Sequence, residues 1–189
     1  MKPKRLLLIT GNRGKAAEFQ SLLGGLELAH KRIDLIEIQS LDAQEIGLHK
    51  AKEALSQLNE QEKLRYDAVL TDDTSLRFLS LGGFPGALVK PCLDALGPAG
   101  LANLLIDKSK EAEALCLLSL GLVKTGEVLQ FEGLVPGQIG PPQGDQGFGW
   151  DAIFYPQGQN LSYAQLSSDQ KNQISHRTLA VKALQAWLG

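Results

Sequence analysis

A short apolar run that passes through a glycine turn into a helix most limits how this chain can fold. Lys4 to Thr10 reads K-R-L-L-L-I-T, which suits a strand buried on both faces. The loop G-N-R-G-K (11–15) follows, and then A-A-E-F-Q-S-L-L (16–23). In that last segment Ala16, Phe19, Leu22 and Leu23 recur at helical spacing, and Gly24-Gly25 stops the helix. A buried strand that turns straight into a helix is the opening of an α/β domain.

The remaining patterning extends that reading. A second extended stretch covers Glu27 to Ile38, and Leu48, Ala51, Leu55 and Leu58 place a second helix over 44–59. Ala68 to Thr71 reads as another buried strand, ending at Asp72-Asp73. L-G-G-F-P-G (81–86) is a loop on glycine and proline grounds. Lys90-Pro91 suits a helix start with Pro91 at the first helical position, and a further helix covers 98–107. The period then becomes two: Ala114, Cys116, Leu118, Leu120 and Leu122 alternate, and a turn at Thr125-Gly126 returns the chain as a hairpin through Val135. A Gly/Pro segment (136–149), a short strand at 153–155 and a closing helix from Ser175 to Leu188 follow. No repeat or linker divides the chain, so the expectation is one domain over 1–189 with a mixed α/β sheet.

Charge and cysteine usage narrow the partners. Nineteen basic and 21 acidic side chains leave a net charge of −2, which supplies no broad basic field for nucleic acid or an anionic membrane. With 43% hydrophobic residues, the chain is not of the disordered class. No run nears the roughly 18 apolar residues of a membrane span, and Leu6 to Ile9 is too short for a signal peptide. Cys92 and Cys116 cannot build a disulfide framework, which fits a reducing compartment. The expected location is cytoplasmic, with neither nucleic acid nor membrane as partner.

Several constellations carry chemistry. Backbone N–H groups of G-N-R-G-K converge on a helix N-terminus, where the macrodipole favours an anion. Thr10 and Asn12 add donors, and Lys15 adds a full charge. The spacing is not that of a Walker A loop, which needs four residues before Gly-Lys and then Ser or Thr. Any Mg²⁺ accompanying a triphosphate must therefore be held by carboxylates elsewhere. Taken alone, the motif is equally a tight strand–helix turn. Asp72-Asp73 at a strand end supplies candidate carboxylates, and only one of two neighbouring strand positions can face a site. Glu37 and Glu45, with Lys50 early in the second helix, are further candidates or else surface charges.

The glycines of G-F-G-W-D (147–151) let the backbone bend and expose Phe148 for stacking on a base, unless the ring is a core plug. Asp151 can bond a ribose hydroxyl or a backbone turn. S-H-R (175–177) opens the last helix, with Ser175 as N-cap and two potential cations at its positive end. That arrangement is locally unfavourable and points to an anionic or acceptor-bearing ligand. Lys171 lies a turn upstream. No His/Cys spacing suits zinc, and no serine or cysteine has a nucleophile setting. Metal-assisted hydrolysis accounts for this inventory better than covalent catalysis.

The set T-G-N-R-G-K (10–15), D-D-T-S-L (72–76), L-G-G-F-P-G (81–86), G-F-G-W-D-A-I-F (147–154) and S-H-R (175–177) resembles the inosine triphosphate pyrophosphatase family in order and spacing along almost the whole chain. F-G-W-D and the P-G-A-L-V-K stretch ending at Lys90 are similar to its eukaryotic-type branch. The resemblance implies an elongated mixed sheet flanked by helices, with two lobes and a central nucleotide cleft, typically as a homodimer. It implies Mg²⁺-dependent hydrolysis of deaminated purine nucleoside triphosphates (ITP, dITP, XTP) to the monophosphate and pyrophosphate.

By the same resemblance Thr10, Gly11, Asn12, Arg13, Gly14 and Lys15 would cradle the phosphates. Asp73 would be the catalytic acid and a metal ligand, with Thr74 beside it. Glu37 would be the second metal carboxylate, Glu45 being its competitor. Lys50, Lys90 and Lys171 would face the triphosphate or ribose. Phe148, Gly149, Trp150 and Asp151 would hold the nucleoside, and Ser175, His176 and Arg177 would read the base. Two rivals remain: a nucleotide sensor without catalysis, and a pyrophosphatase for other modified or pyrimidine triphosphates.

Overall fold

The computed structural model describes residues 2–189. Leu6 to Ile9 are all buried in β1 (Arg5–Ile9), which the double-sided apolar run requires. β1 lies parallel to β2 (Glu27–Lys31) and parallel to β3 (Ala68–Phe78). With β4 (Pro85–Gly86), β5 (Glu111–Leu122), β6 (Val128–Ile139) and β7 (Phe154–Pro156), they form a seven-stranded sheet ordered β2-β1-β3-β5-β6-β7, with β4 paired to β3. The β3–β4 and β6–β7 pairs are antiparallel, so the sheet is mixed, as expected.

The helices are α1 (Arg13–Leu22), α2 (Ala43–Ser56), α3 (Glu60–Arg65), α4 (Val89–Asn103), α5 (Ser168–Ile174) and α6 (His176–Leu188). No helix among the described residues is long and apolar enough to cross a membrane.

The differences from the sequence reading have local causes. α1 begins three residues before the apolar spacing does, because the Asn12 side chain accepts the Lys15 N–H and caps it. Residues 32–41 leave the ladder after Lys31 and run irregularly. α3 and α5 lie outside the expected elements, although each carries a reciprocal capping box, Asn59 with Glu62 and Ser167 with Gln170. α4 starts at Val89, so Pro91 is its third residue, and Gly97 (φ 65°) breaks it where a second helix was expected at Pro98. The largest difference concerns β3. It does not stop at Thr71 but runs on to Phe78, so Asp72 and Asp73 are interior strand residues.

By contact density the described chain divides into two compact units. The first holds residues up to Asp73, with Leu117–Glu132 and Ala180–Gly189. Its core includes Leu7, Ile9, Ala54, Leu58, Tyr66 and Val69. The second holds Thr74–Cys116 and Gly133–Leu179 around Leu76, Phe78, Leu101, Ala114, Trp150, Phe154 and Tyr163.

One polar clamp ties the start of β1 in the first unit. Arg5 Nη2 reaches Asp67 Oδ1 at 2.7 Å, and Asp67 Oδ2 accepts the backbone N–H groups of Lys4 and Arg5 at 2.9 Å each. The Arg5 guanidinium, helped by those N–H groups, holds the Asp67 carboxyl down to about 2 against the opposing effect of burial. Unfolded, this group titrates near ~3.9. Its stabilisation is therefore present above about pH 4 and lost as pH falls towards 2. Asp67→Asn is expected to lower unfolding free energy by about 1–2 kcal/mol at pH 7, the half-exposed pair being screened by solvent. Urea titrations should show the wild-type and variant midpoints converging below about pH 3.

Candidate active site

In the first unit the carboxylates of β3 and two helical lysines build one centre. Successive strand residues face opposite ways, and each aspartate meets a lysine from a different helix. Lys15, in the first turn of α1, places Nζ 2.8 Å from Asp72 Oδ2 and 3.2 Å from the Asp72 carbonyl oxygen. Lys50, on α2, places Nζ 2.6 Å from Asp73 Oδ1 and 3.1 Å from Glu37 Oε1. A charged pair inside a strand is tolerated here because each charge is matched at close range. Burial, reinforced by the nearby Asp72 charge, outweighs the pull of Lys50 and Lys15 and holds the Asp73 carboxyl above the usual range. For Lys50, burial works the other way, but Asp73 and Glu37 together overcome it and raise the ammonium.

The loop before α1 supplies donors. Thr10 Oγ1 accepts the Asn12 N–H at 3.1 Å, and Asn12 Oδ1 accepts the Lys15 N–H at 3.1 Å. The Arg13 and Gly14 N–H groups, in the first turn of α1, find no acceptor among the described residues. They are available at the end of a helix that favours an anion.

The donor set suits a divalent cation that shares its shell with phosphate. Asp73 and Glu37 converge on a single ammonium, and Asp73 Oδ2 is buried without a hydrogen-bond partner among the described residues. Among the described residues no three His, Cys, Asp or Glu side chains form a metal-binding group. Mg²⁺ needs only one or two carboxylates with waters and substrate phosphates, so these residues fit it. Glu45 instead accepts the Ser40 hydroxyl at 2.6 Å.

The second unit holds an aromatic and cationic cluster. Gly147 and Gly149 have φ of 75° and 68°, left-handed conformations that favour glycine. A Cβ at Gly147 would lie 2.3 Å from Asp151 Oδ2. That oxygen accepts the Phe148 N–H at 2.8 Å and the Lys171 ammonium at 2.7 Å. The loop is thereby fastened around a half-buried Phe148 ring, with Lys171 Nζ 4.9 Å and Arg177 Cζ 5.8 Å from its centroid. His176 packs against Trp150 (5.3 Å) and lies parallel to Tyr163 (5.9 Å, 19°). His176 and Arg177 are both almost fully buried in the first turn of α6. Ser175 Oγ accepts the Thr178 N–H at 3.2 Å, so it caps α6 as its position suggests.

The Ham1 family profile matches residues 6–187. The chain belongs to the Ham1 family. A protein of Pyricularia oryzae named inosine triphosphate pyrophosphatase is 39% identical over 186 residues, 97% of this chain and 93% of that one. A HAM1 protein from Coxiella burnetii has a solved structure that superposes with a TM-score of 0.81 at 27% identity, covering 97% of this chain and 98% of the other. A nucleoside-triphosphatase (dITP/XTP pyrophosphatase) from Mycobacterium abscessus superposes with a TM-score of 0.71 at 28% identity, again covering 97% and 98%. The mixed α/β sheet is thus the fold of Ham1 structures, the chain is a hydrolase, and a fungal relative accords with the eukaryotic-type branch.

Within this Ham1 chain the expected residues fall into two groups. The first unit brings together Lys15, Glu37, Lys50, Asp72 and Asp73, beside the Thr10–Lys15 loop. The second brings together Phe148, Trp150, Asp151, Lys171, His176 and Arg177. Thr74 is half-buried on β3. Lys90 is exposed on α4 and makes no hydrogen bond or ion pair among the described residues. Of the two aspartates, Asp72 holds Lys15 and Asp73 holds Lys50. Tyr163 was missed. It is fully buried, and nothing in Y-A-Q-L marks a ring that only the tertiary fold places against His176.

The Lys171–Asp151 pair is almost wholly buried, at 6% and 5% side-chain exposure. Lys171→Met takes away the ammonium that Asp151 Oδ2 holds at 2.7 Å inside the protein and is expected to cost roughly 3–5 kcal/mol. Adding Asp151→Asn should return part of that loss, which a double-mutant cycle by urea unfolding measures.

Proposed function

We propose that this enzyme hydrolyses ITP, dITP and XTP to the nucleoside monophosphate and pyrophosphate with Mg²⁺, cleansing the nucleotide pool of deaminated purines. The observation that carries the reading is the carboxylate pair on Lys50, with the second oxygen of Asp73 buried and without a hydrogen-bond partner among the described residues. The names of the Pyricularia and Mycobacterium relatives add support. Asp73 and Glu37 would hold Mg²⁺, and the bound ion would supply positive charge at the phosphate oxygens.

The protein's own groups have distinct tasks. Asp73, whose carboxyl burial holds above the usual range, orients the attacking water and takes its proton as the α-phosphorus is attacked. The Arg13 and Gly14 N–H groups and Lys15 bind phosphate oxygens, with Thr10, Gly11 and Asn12 shaping the loop. Asp72 fixes Lys15 before substrate arrives. Lys15 and Lys50 neutralise charge on the departing pyrophosphate.

In the second unit Asp151 and Lys171 hold the loop that offers Phe148 to the base. His176 and Arg177 donate to the 6-oxo group of hypoxanthine or xanthine. Against adenine, whose 6-amine is itself a donor, they would be left unmatched. Residues 1–189 act as one catalytic domain. Its setting is the cytoplasm, where Cys92 and Cys116 stay as thiols, and the working form is a homodimer.

With ITP, XTP, dITP, GTP, ATP and dUTP in parallel and Mg²⁺ present, pyrophosphate release should be fastest for the three deaminated purines. Hydrolysis of none of them refutes the reading, and preference for dUTP replaces it with pyrimidine specificity. Asp73→Asn should lower kcat by at least about 10²-fold with little change in nucleotide affinity. Phe148→Ala should raise KM for ITP roughly tenfold, and an unchanged KM would make the ring part of the core only.

A further inference from the structure

Glycine is the poorest ordinary residue for a helix interior, yet Gly47 is the fifth residue of the 14-residue α2 and fully surrounded. Its backbone is not left-handed, so conformational freedom does not explain it. Space does. A Cβ here would lie 2.5 Å from Ser119 Oγ, 3.1 Å from Gln130 Nε2 and 3.1 Å from Leu117 Cδ2. Turning the Ser119 hydroxyl aside would relieve only the first of these contacts.

The other groups are also tied down. Gln130 Nε2 donates to the Gln44 carbonyl at 2.8 Å and to Ser119 Oγ at 3.2 Å, and Ser119 is fully buried on β5. Gln44, one turn before Gly47, is thus tethered to β6, while Gly47 itself admits close approach to β5. Lys50 follows one turn later on the same helix and makes the 2.6 Å contact to Asp73 and the 3.1 Å contact to Glu37. A 2.6 Å contact lengthened by an ångström lies outside hydrogen-bond range.

We infer that Gly47, seated against Ser119 and Gln130, is a positioning residue that sets the distance of α2 from the hairpin and so delivers Lys50 to Asp73 and Glu37. The kinetic part of this inference rests on the proposed hydrolysis, while the geometric part does not.

Gly47→Ala should lower kcat for ITP about 10- to 100-fold, because the catalytic groups move, while KM changes less than about twofold. A crystal structure of that variant should place Lys50 Nζ beyond about 4 Å from Asp73 Oδ1. Adding Ser119→Gly removes the 2.5 Å contact and releases Gln130 Nε2 from its bond to Ser119, and should recover at least about threefold of the lost kcat, the rescue expected of relieved crowding.

An unchanged kcat, an intact Lys50–Asp73 contact in Gly47→Ala, or a loss that Ser119→Gly does not repair in a folded protein would each overturn the inference. If Gly47→Ala does not fold, the exchange Gly47→Ser with Ser119→Ala decides, since it moves one hydroxyl across the contact with a net gain of a single carbon. Folding with near wild-type turnover supports the inference, and failure to fold or to turn over refutes it. A wild-type enzyme inactive on every triphosphate removes the functional reading instead, and the distance in the crystal then tests Gly47 by itself.

Discussion

Two adjacent carboxylates in the middle of a strand are the constraint to which the first unit answers. Asp72 and Asp73 point to opposite sides of β3, and each would carry a large desolvation cost without a cation in reach. The fold meets that demand with one lysine from α1 and one from α2. Lys15 is therefore anchored at the end of the glycine loop, and Lys50 is anchored where Glu37 can share it. The same balance leaves Asp73 Oδ2 buried without a hydrogen-bond partner among the described residues. Charge satisfaction and readiness for chemistry come from one arrangement.

The second unit uses a related device with different partners. A single carboxylate oxygen of Asp151 holds both the Phe148 N–H and the Lys171 ammonium, so a loop of two left-handed glycines becomes a defined platform. Trp150 and Tyr163 pack against His176 in the first turn of α6, Phe154 packs against both rings, and the neighbouring Arg177 lies over the ring of Phe148. Cations at the positive end of a helix are unfavourable in isolation, and burial among faces of aromatic rings compensates part of that cost.

Much of this was legible in particular residues. The apolar run before G-N-R-G-K identified β1 and α1, and the alternation from Ala114 identified the β5–β6 hairpin. The candidate residues were found because their types are costly unless they are used: paired aspartates, a glycine-bracketed aromatic, cations at a helix start. Other features were hidden for physical reasons. α3 and α5 are six and seven residues long, too short for a hydrophobic period, and only their capping boxes announced them. The run of β3 beyond Thr71 contradicts the low strand preference of aspartate, because cations supplied from distant helices override it.

The sequence by itself determined the fold class, the family and the inventory of reactive groups, since these depend on local periodicity and on residue type at fixed spacing. Tertiary structure decided the partnerships: which lysine meets which aspartate, Glu37 rather than Glu45 beside Lys50, Tyr163 against His176, and the contact that makes Gly47 necessary. Such partners can lie far apart in sequence, as Lys15 and Asp72 do by 57 positions. A charge or a close packing contact acts over a few ångströms of space, and no periodicity along the chain encodes which distant residue will be there.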